Sequence, residues 1–479
     1  MESKTLIPGS GGQASLVVCR NSQGVDIRGT MLRLTRYTVV FEVYNPYSIL
    51  QLSEVLSEFN ILINDRLTYS GRAVVTNLVN TGILLVCEAT LEESWLDVDL
   101  FSPINQPKRL QAEFAAFMKE WDKTRKVVPE FKVVVADMQT LLTDLRRWLE
   151  QVELGIRSEP AGNRAEIERE VIGNLQEPML PLVMSWFSRF DAIADQVEEE
   201  MRPTCRAYAR RQLHPLVLCS PFVYRTFQKP LGYAGDYEMV NMILRDPLEG
   251  GSLFAKIVNV CFLKNPPAEA HRNRIQYLTN KISEETRRVA SQHRRARIFN
   301  LGCGPAKEVQ DFIRQDDLCE QADFTLVDFE DEALNHAGKV FRDLAAQHQR
   351  QTPIQLLKKS VHQILKEASR PHAEAPGAGY DFIYCAGLFD YISDRICKRL
   401  MNYFYDLLNP GGLLIATNVD ASKPFRHSME YLMEWHLICR TPREMAALSP
   451  DLAPPECCSV QADPTGVNIF TEIRKPGHG

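Results

Sequence analysis

The residues with the most chemical promise lie in Ile298-Phe-Asn-Leu-Gly-Cys-Gly-Pro-Ala306. Gly302 and Gly304 follow four residues of strand character and precede a helix-like run from Lys307 to Arg314. Glycine lets the backbone turn tightly and admits a ligand against it. The free N–H groups of the new helix then point at that ligand. Cys303 stands between the glycines, and Asn300 can accept a hydrogen bond without carrying a charge. Further on, Phe324-Thr-Leu-Val-Asp328 reads as a second strand ending in an acid, a position from which a carboxylate accepts hydrogen bonds from a ribose diol. Lys307 fills the third position of a G-x-G-x-x-G fingerprint, so a close pyrophosphate contact is not expected.

A second concentration of reactive types is Lys229-Pro-Leu-Gly-Tyr-Ala-Gly-Asp-Tyr-Glu-Met-Val-Asn241. Tyr233 and Tyr237 can donate hydrogen bonds to a bound acid. Asp236 can act in catalysis or cap the helix carrying Met239, Val240 and Ile243, and composition alone favours the cap. Arg272, Arg274, Arg426, His427 and Arg440 could clamp an anionic substrate, although each taken singly reads more readily as a solvated surface or sheet-edge residue. His427 and His436 are candidate bases. His436 follows Trp435 on an expected amphipathic helix, which favours a structural histidine there.

Two more stretches supply the elements that must position these groups. Tyr380-Asp-Phe-Ile-Tyr-Cys-Ala-Gly387 reads as a buried strand opening into a small-residue loop. Leu407-Leu-Asn-Pro-Gly-Gly-Leu-Leu-Ile-Ala-Thr417 reads as a helix end, a turn and another buried strand. Together with the two glycine- and acid-bearing stretches they resemble the class I S-adenosylmethionine-dependent methyltransferase fold over roughly 290–475. The resemblance implies S-adenosylmethionine as cofactor. Asn300, Gly302, Cys303 and Gly304 would hold its methionine part, Asp328 with Phe329 its ribose, and Ser360 and Val361 its adenine, with Ala386 and Gly387 completing the pocket. The family often has an acid where this chain has Asn300.

Residues 229–241, the run Ala270-His-Arg-Asn-Arg274 and Met429-Glu-Tyr-Leu-Met-Glu-Trp-His-Leu-Ile-Cys-Arg440 are similar to a bacterial methyltransferase group associated with extracellular-factor 3-hydroxypalmitic acid methyl ester, a quorum signal. That resemblance spans roughly 205–475 and implies a Gly-Tyr-Ala-Gly-Asp loop closing over cofactor and substrate. It points to carboxyl O-methylation of a small or lipid-like acid, such as a 3-hydroxy fatty acid. The implied roles are catalytic for Tyr233, Asp236 and His427, and substrate-binding for Tyr237, Arg274, Arg426 and Arg440. In-line methyl transfer chiefly needs alignment and exclusion of water. A carboxylate is already ionised at neutral pH, whereas a hydroxyl acceptor would need a base. Two alternatives stand beside this reading: O- or N-methylation of another small metabolite, and a signalling or scaffold protein with a vestigial cofactor pocket, which Asn300 keeps open.

The rest of the chain sets the frame. A length of 479 residues implies more than one core. The expected division is a β-barrel domain over 1–105, a helical linker or dimerisation segment over 106–210 and an α/β methyltransferase domain, Rossmann-like with a helical cap, over 211–479. The first part is similar to a PilZ-type domain. Arg28, Arg33 and Arg36 have the wrong spacing for its cyclic di-GMP arm, so that ligand is not expected. Pro107 opens a heptad seam through Leu110, Phe114, Phe117, Trp121, Val128, Phe131, Val135, Met138, Leu142, Leu145, Leu149 and Val152, which suits a homodimer coiled coil or an intramolecular hairpin. Pro129 should kink or split it. A net charge of −6 with no basic run argues against nucleic acid as partner. Twelve cysteines without C-x-x-C pairs argue for a reduced, cytoplasmic protein without a metal centre. No apolar run approaches the ~20 residues of a membrane span.

Overall fold

The computed structural model describes residues 15–92 apart from 23, 36, 45–49, 64–65 and 81–83, scattered positions from 111 to 119, and 127–477 apart from 369–378 and 423–424. The Gly/Ser-rich start, Arg36, Pro107 and the seam positions Leu110, Phe117 and Trp121 lie outside the described residues. The chain divides into two compact units. One comprises Met1–Ala234, Leu248–Phe262 and Pro424–His436; the other comprises Gly235–Pro247, Leu263–Lys423 and Leu437–Gly479.

The first unit begins with β1 (Leu16–Arg20), β2 (Asp26–Leu34), β3 (Thr38–Tyr44), β4 (Val55–Ile63), β5 (Arg66–Asn80) and β6 (Leu84–Leu91). They close into an antiparallel barrel in the order β1-β2-β3-β6-β5-β4. Alternation does this: β2 buries Ile27, Gly29 and Met31 and exposes the residues between them. Gly29 is needed there, since a Cβ would lie 2.7 Å from the Glu42 carbonyl oxygen and 2.8 Å from the Phe41 ring. Phe41 meets Phe59 edge-on inside the barrel, their centroids 5.8 Å apart.

Helices follow: α1 (Pro129–Arg157), α2 (Arg164–Asp195), α3 (Arg202–Val217) and α4 (Pro221–Gln228). Pro129 is the first residue of α1, where its missing N–H costs nothing, so the seam is split rather than kinked at that point. From there the seam faces α2 and α3 of the same unit, burying Phe131, Val135, Met138 and Leu149. The aromatic centre of this packing is completed from far along the chain. Tyr431, on α12 (Arg426–Met433), lies 5.7 Å from Phe131 and 5.8 Å from Phe190 by ring centroids.

The second unit is built on a seven-stranded sheet. Its strands are β7 (Ala296–Leu301), β8 (Ala322–Asp328), β9 (Ile354–Lys358), β10 (Tyr380–Cys385), β11 (Leu408–Val419), β12 (Cys458–Ala462) and β13 (Asn468–Arg474). Their order is β12-β13-β11-β10-β7-β8-β9. The five strands from β11 to β9 are parallel, and β13 and β12 form the antiparallel closing hairpin. Helices cover both faces, which is why β10 is buried at every position from Asp381 to Cys385. One face carries α7 (Pro266–Ala290), α8 (Lys307–Gln315) and α9 (Asp331–His348); the other carries α10 (Val361–Ala368) and α11 (Asp394–Leu407). This is the Rossmann-like α/β fold expected, preceded by a barrel and a helical segment.

Candidate functional site

In a parallel sheet, ligands gather outside the carboxyl ends of the strands at the point where strand order reverses. Here that point lies between β7 and β10. The chain leaves β7 through Gly302 and Gly304, whose φ values of +74° and +50° are in the left-handed region that glycine tolerates. The turn is tied to the next strand. The N–H groups of Gly302 and Cys303 donate to the Val327 carbonyl at 2.8 and 3.1 Å. Gly304 N–H donates to Asp328 Oδ2 at 2.8 Å, and Glu330 N–H donates to Asp328 Oδ1 at 3.0 Å. Asp328 is buried, and burial raises its pKa above the usual carboxylate range. Among the described residues, none beyond its chain neighbours has an atom within 4 Å of where a Cβ on Gly304 would stand, so the loop faces open space there.

Beneath the loop sits a polar network that sequence reading missed. Asn300 Nδ2 donates to Glu308 Oε1 at 3.2 Å, and the Tyr384 hydroxyl donates to the same oxygen at 2.8 Å. All three side chains are buried. Asn300 Oδ1 is buried with no partner among the described residues. Burial raises the pKa of Glu308, partly countered by the bond from Tyr384 and by Arg274. Two signals pointed here: Glu308 falls in the first turn of the helix after the glycine loop, and period two puts Phe382 and Tyr384 on one face of β10.

Arg274, on α7, stands beside the end of β10. Gly387 has φ +94°, and a Cβ there would lie 3.2 Å from Arg274 Nη1. The Arg274 guanidinium is buried, yet its one hydrogen bond among the described residues is to His271 Nδ1 at 2.9 Å, and no carboxylate reaches ion-pair distance. Burial lowers its pKa, while the Asp390 and Glu308 carboxylates act in the opposite sense. Asp390 accepts from Val419 N–H at 2.7 Å, and burial pushes its pKa up to about 6. The Gly387 N–H donates to Thr417 Oγ1 at 3.1 Å.

The remaining candidates divide between the units. Ser360 caps α10, its N–H donating to Gln363 Oε1 at 2.8 Å, and Val361 packs on the sheet core. Phe329 and Ala386 are half-buried beside Asp328 and Gly387 in sequence. Asp236 caps α5 (Tyr237–Leu244), its Oδ1 accepting from Met239 N–H at 2.7 Å. The Tyr237 ring lies 5.0 Å from His336. Arg440 differs from the clamp expected of it. Its guanidinium donates to the Phe389 and Ile392 carbonyls, to Asn418 Oδ1 and to Asp394, so it ties the loop after β10 to β11 and leaves no donor for a substrate. Arg272 is similarly engaged by Glu269 and the Ile243 and Leu263 carbonyls.

Tyr233, Arg426, His427 and His436 belong to the first unit. Arg426 pairs with Glu430 at 2.7 Å. His427 Nε2 lies 3.2 Å from Asp195 Oδ1. His436 is not helical: α12 ends at Met433 because Glu434 turns into the left-handed region, and the His436 backbone bonds the Ser53 hydroxyl instead. Among the described residues no cluster of His, Cys, Asp or Glu could hold a metal, and no helix is long and apolar enough to cross a membrane.

A family profile described as a methyltransferase domain matches residues 271–450. Among solved structures, a possible exported protein from Bordetella parapertussis is 19% identical with a TM-score of 0.40, covering 53% of this chain and 86% of that one. Magnesium protoporphyrin IX methyltransferase from Synechocystis PCC 6803, with bound SAH, is 10% identical with a TM-score of 0.30 over 44% of this chain and 87% of that one. The N-methyltransferase NodS from Bradyrhizobium japonicum WM9, in complex with S-adenosyl-L-homocysteine, is 13% identical with a TM-score of 0.30 over 53% of this chain and 99% of that one. No curated protein matches the chain.

Proposed function

We propose that the methyltransferase domain of this chain takes S-adenosylmethionine as methyl donor and the carboxylate of a small or lipid-like acid as acceptor. The residues present fit the cofactor. Gly302 and Gly304 hold the loop open, Asn300 Oδ1 is a buried acceptor without a donor, and Asp328 fixes the loop from the end of β8. Asn300 would take the amino group, Asp328 the ribose, and Ser360 with Val361 the adenine. When bound, the cofactor supplies an electrophilic methyl on a sulfonium.

Arg274 carries the acceptor reading. A buried guanidinium with, among the described residues, one hydrogen bond to a histidine and no ion pair is an uncommon arrangement, because burying an unpaired charge is costly. An anionic substrate would supply the missing partner through the two-pronged geometry that arginine offers a carboxylate. The acid is ionised at neutral pH, so the chain need only orient it and keep water out. Gly387, where any side chain would press on Arg274, leaves the guanidinium its place beside the end of β10.

The test is methyl transfer from radiolabelled S-adenosylmethionine to a panel of acids, 3-hydroxy fatty acids included, followed by mild base. Label released as volatile methanol supports a methyl ester. Base-stable label on the product refutes the carboxyl reading in favour of an ether or an N-methyl product.

A further inference from the structure

We infer that Glu308 is a positioning residue, holding the Asn300 amide so that its Oδ1 faces the amino group of the cofactor's amino-acid portion. The inference rests on the cofactor reading above.

A side-chain amide has a donor end and an acceptor end, and what the buried end touches decides what the other end offers. Glu308 Oε1 receives two donors, Asn300 Nδ2 at 3.2 Å and the Tyr384 hydroxyl at 2.8 Å. Glu308 Oε1 already accepts the Tyr384 hydroxyl proton, so rotating the Asn300 amide by half a turn would set Oδ1 against another acceptor. The observed orientation is therefore held, and it leaves Asn300 Oδ1 as a buried acceptor with no partner among the described residues. A buried orphan of this kind is costly unless a ligand supplies the donor. Glu308 is itself fixed: it lies in the first turn of α8, where the helix favours an acid, and it lies in the field of Arg274.

The experiment titrates the full chain with S-adenosylhomocysteine and, separately, with 5′-methylthioadenosine, which keeps adenine and ribose but lacks the amino-acid portion. Glu308→Ala should weaken S-adenosylhomocysteine binding about tenfold or more, the loss expected for a charge-assisted contact, and leave 5′-methylthioadenosine within about twofold. Asn300→Ala should behave alike, and the double variant should lose no more than either single one, because the two act as one device. Glu308→Gln, which keeps an acceptor oxygen, should stay within about threefold of the parent even if Glu308→Ala fails to fold. Additive losses, equal losses for both ligands, or a Glu308→Gln deficit confined to S-adenosylhomocysteine would overturn the positioning role. A parent protein that binds neither ligand would instead remove the cofactor reading and the inference with it.

Discussion

Asp328 is where the candidate site and the stability of its unit meet. Its two carboxylate oxygens accept backbone N–H groups, from Gly304 at 2.8 Å and from Glu330 at 3.0 Å, with the Phe329 N–H a further donor. Leaving a buried donor without its partner costs ~1–3 kcal/mol. Replacing Asp328 by Ala orphans the Gly304 and Glu330 donors and should cost at most ~2–6 kcal/mol locally, less what is recovered by water, which reaches these half-buried groups. Asp328→Asn keeps one acceptor but turns an NH2 toward the second donor, so about half that loss is expected. Burial raises the Asp328 pKa. The stability it contributes is therefore fully present below the ordinary carboxylate pKa and lost as pH rises through the folded value, a slope that Asn would abolish. Because the chain has two units, a global melt would mix their transitions. Amide hydrogen exchange at Gly304 and Glu330 is the local measurement, paired with S-adenosylhomocysteine titration. Unchanged protection at both amides in Asp328→Ala, with binding within threefold of the parent, would refute the reasoning.

Arg274→Gln should lower kcat/KM for an acid acceptor by about 10²-fold, the range for a lost charged contact, while S-adenosylhomocysteine affinity stays within about threefold; the reverse pattern would move Arg274 to the cofactor. Arg210 forms an ion pair with Glu434 inside the first unit. Arg210→Met should cost ~3–5 kcal/mol by leaving a buried carboxylate behind, with part restored by adding Glu434→Gln, as read by urea unfolding. His214 donates toward the Leu432 carbonyl at 2.9 Å, and burial lowers its pKa to about 4. Its contribution is present above pH 6.5 and lost as pH falls through about 4, so His214→Gln should flatten the acid limb of the stability curve measured across that window.

The sheet and its glycine turn were legible because they rest on local rules. Buried strands write themselves as apolar runs, and a strand followed by Gly302 and Gly304 admits few other conformations. The helix through Met429 was legible too, but its end was not: Glu434 adopts a left-handed conformation that nothing in the apolar spacing of Leu432, Met433 and Trp435 announces. The arginines divided for a similar reason. Arg274 and Arg440 look alike in sequence, and only the fold assigns Arg440 its carbonyl partners and leaves Arg274 with so few. Glu308 was overlooked because its partners, Asn300 on β7 and Tyr384 on β10, come together only once the sheet forms.

The place of Tyr431 has a consequence during synthesis. Its ring fills the space against Phe131 and Phe190, yet it leaves the ribosome about 240 residues after Phe190. At ~5–20 residues per second, that is on the order of tens of seconds in which α1, α2 and α3 exist without the side chain that completes their core. The nascent chain must carry that unfinished aromatic surface while β7 to β11, five of the seven strands of the second unit, are being made. A transcript cut short before residue 424 would release it permanently, so prematurely terminated products of this gene are natural clients for chaperones and proteases.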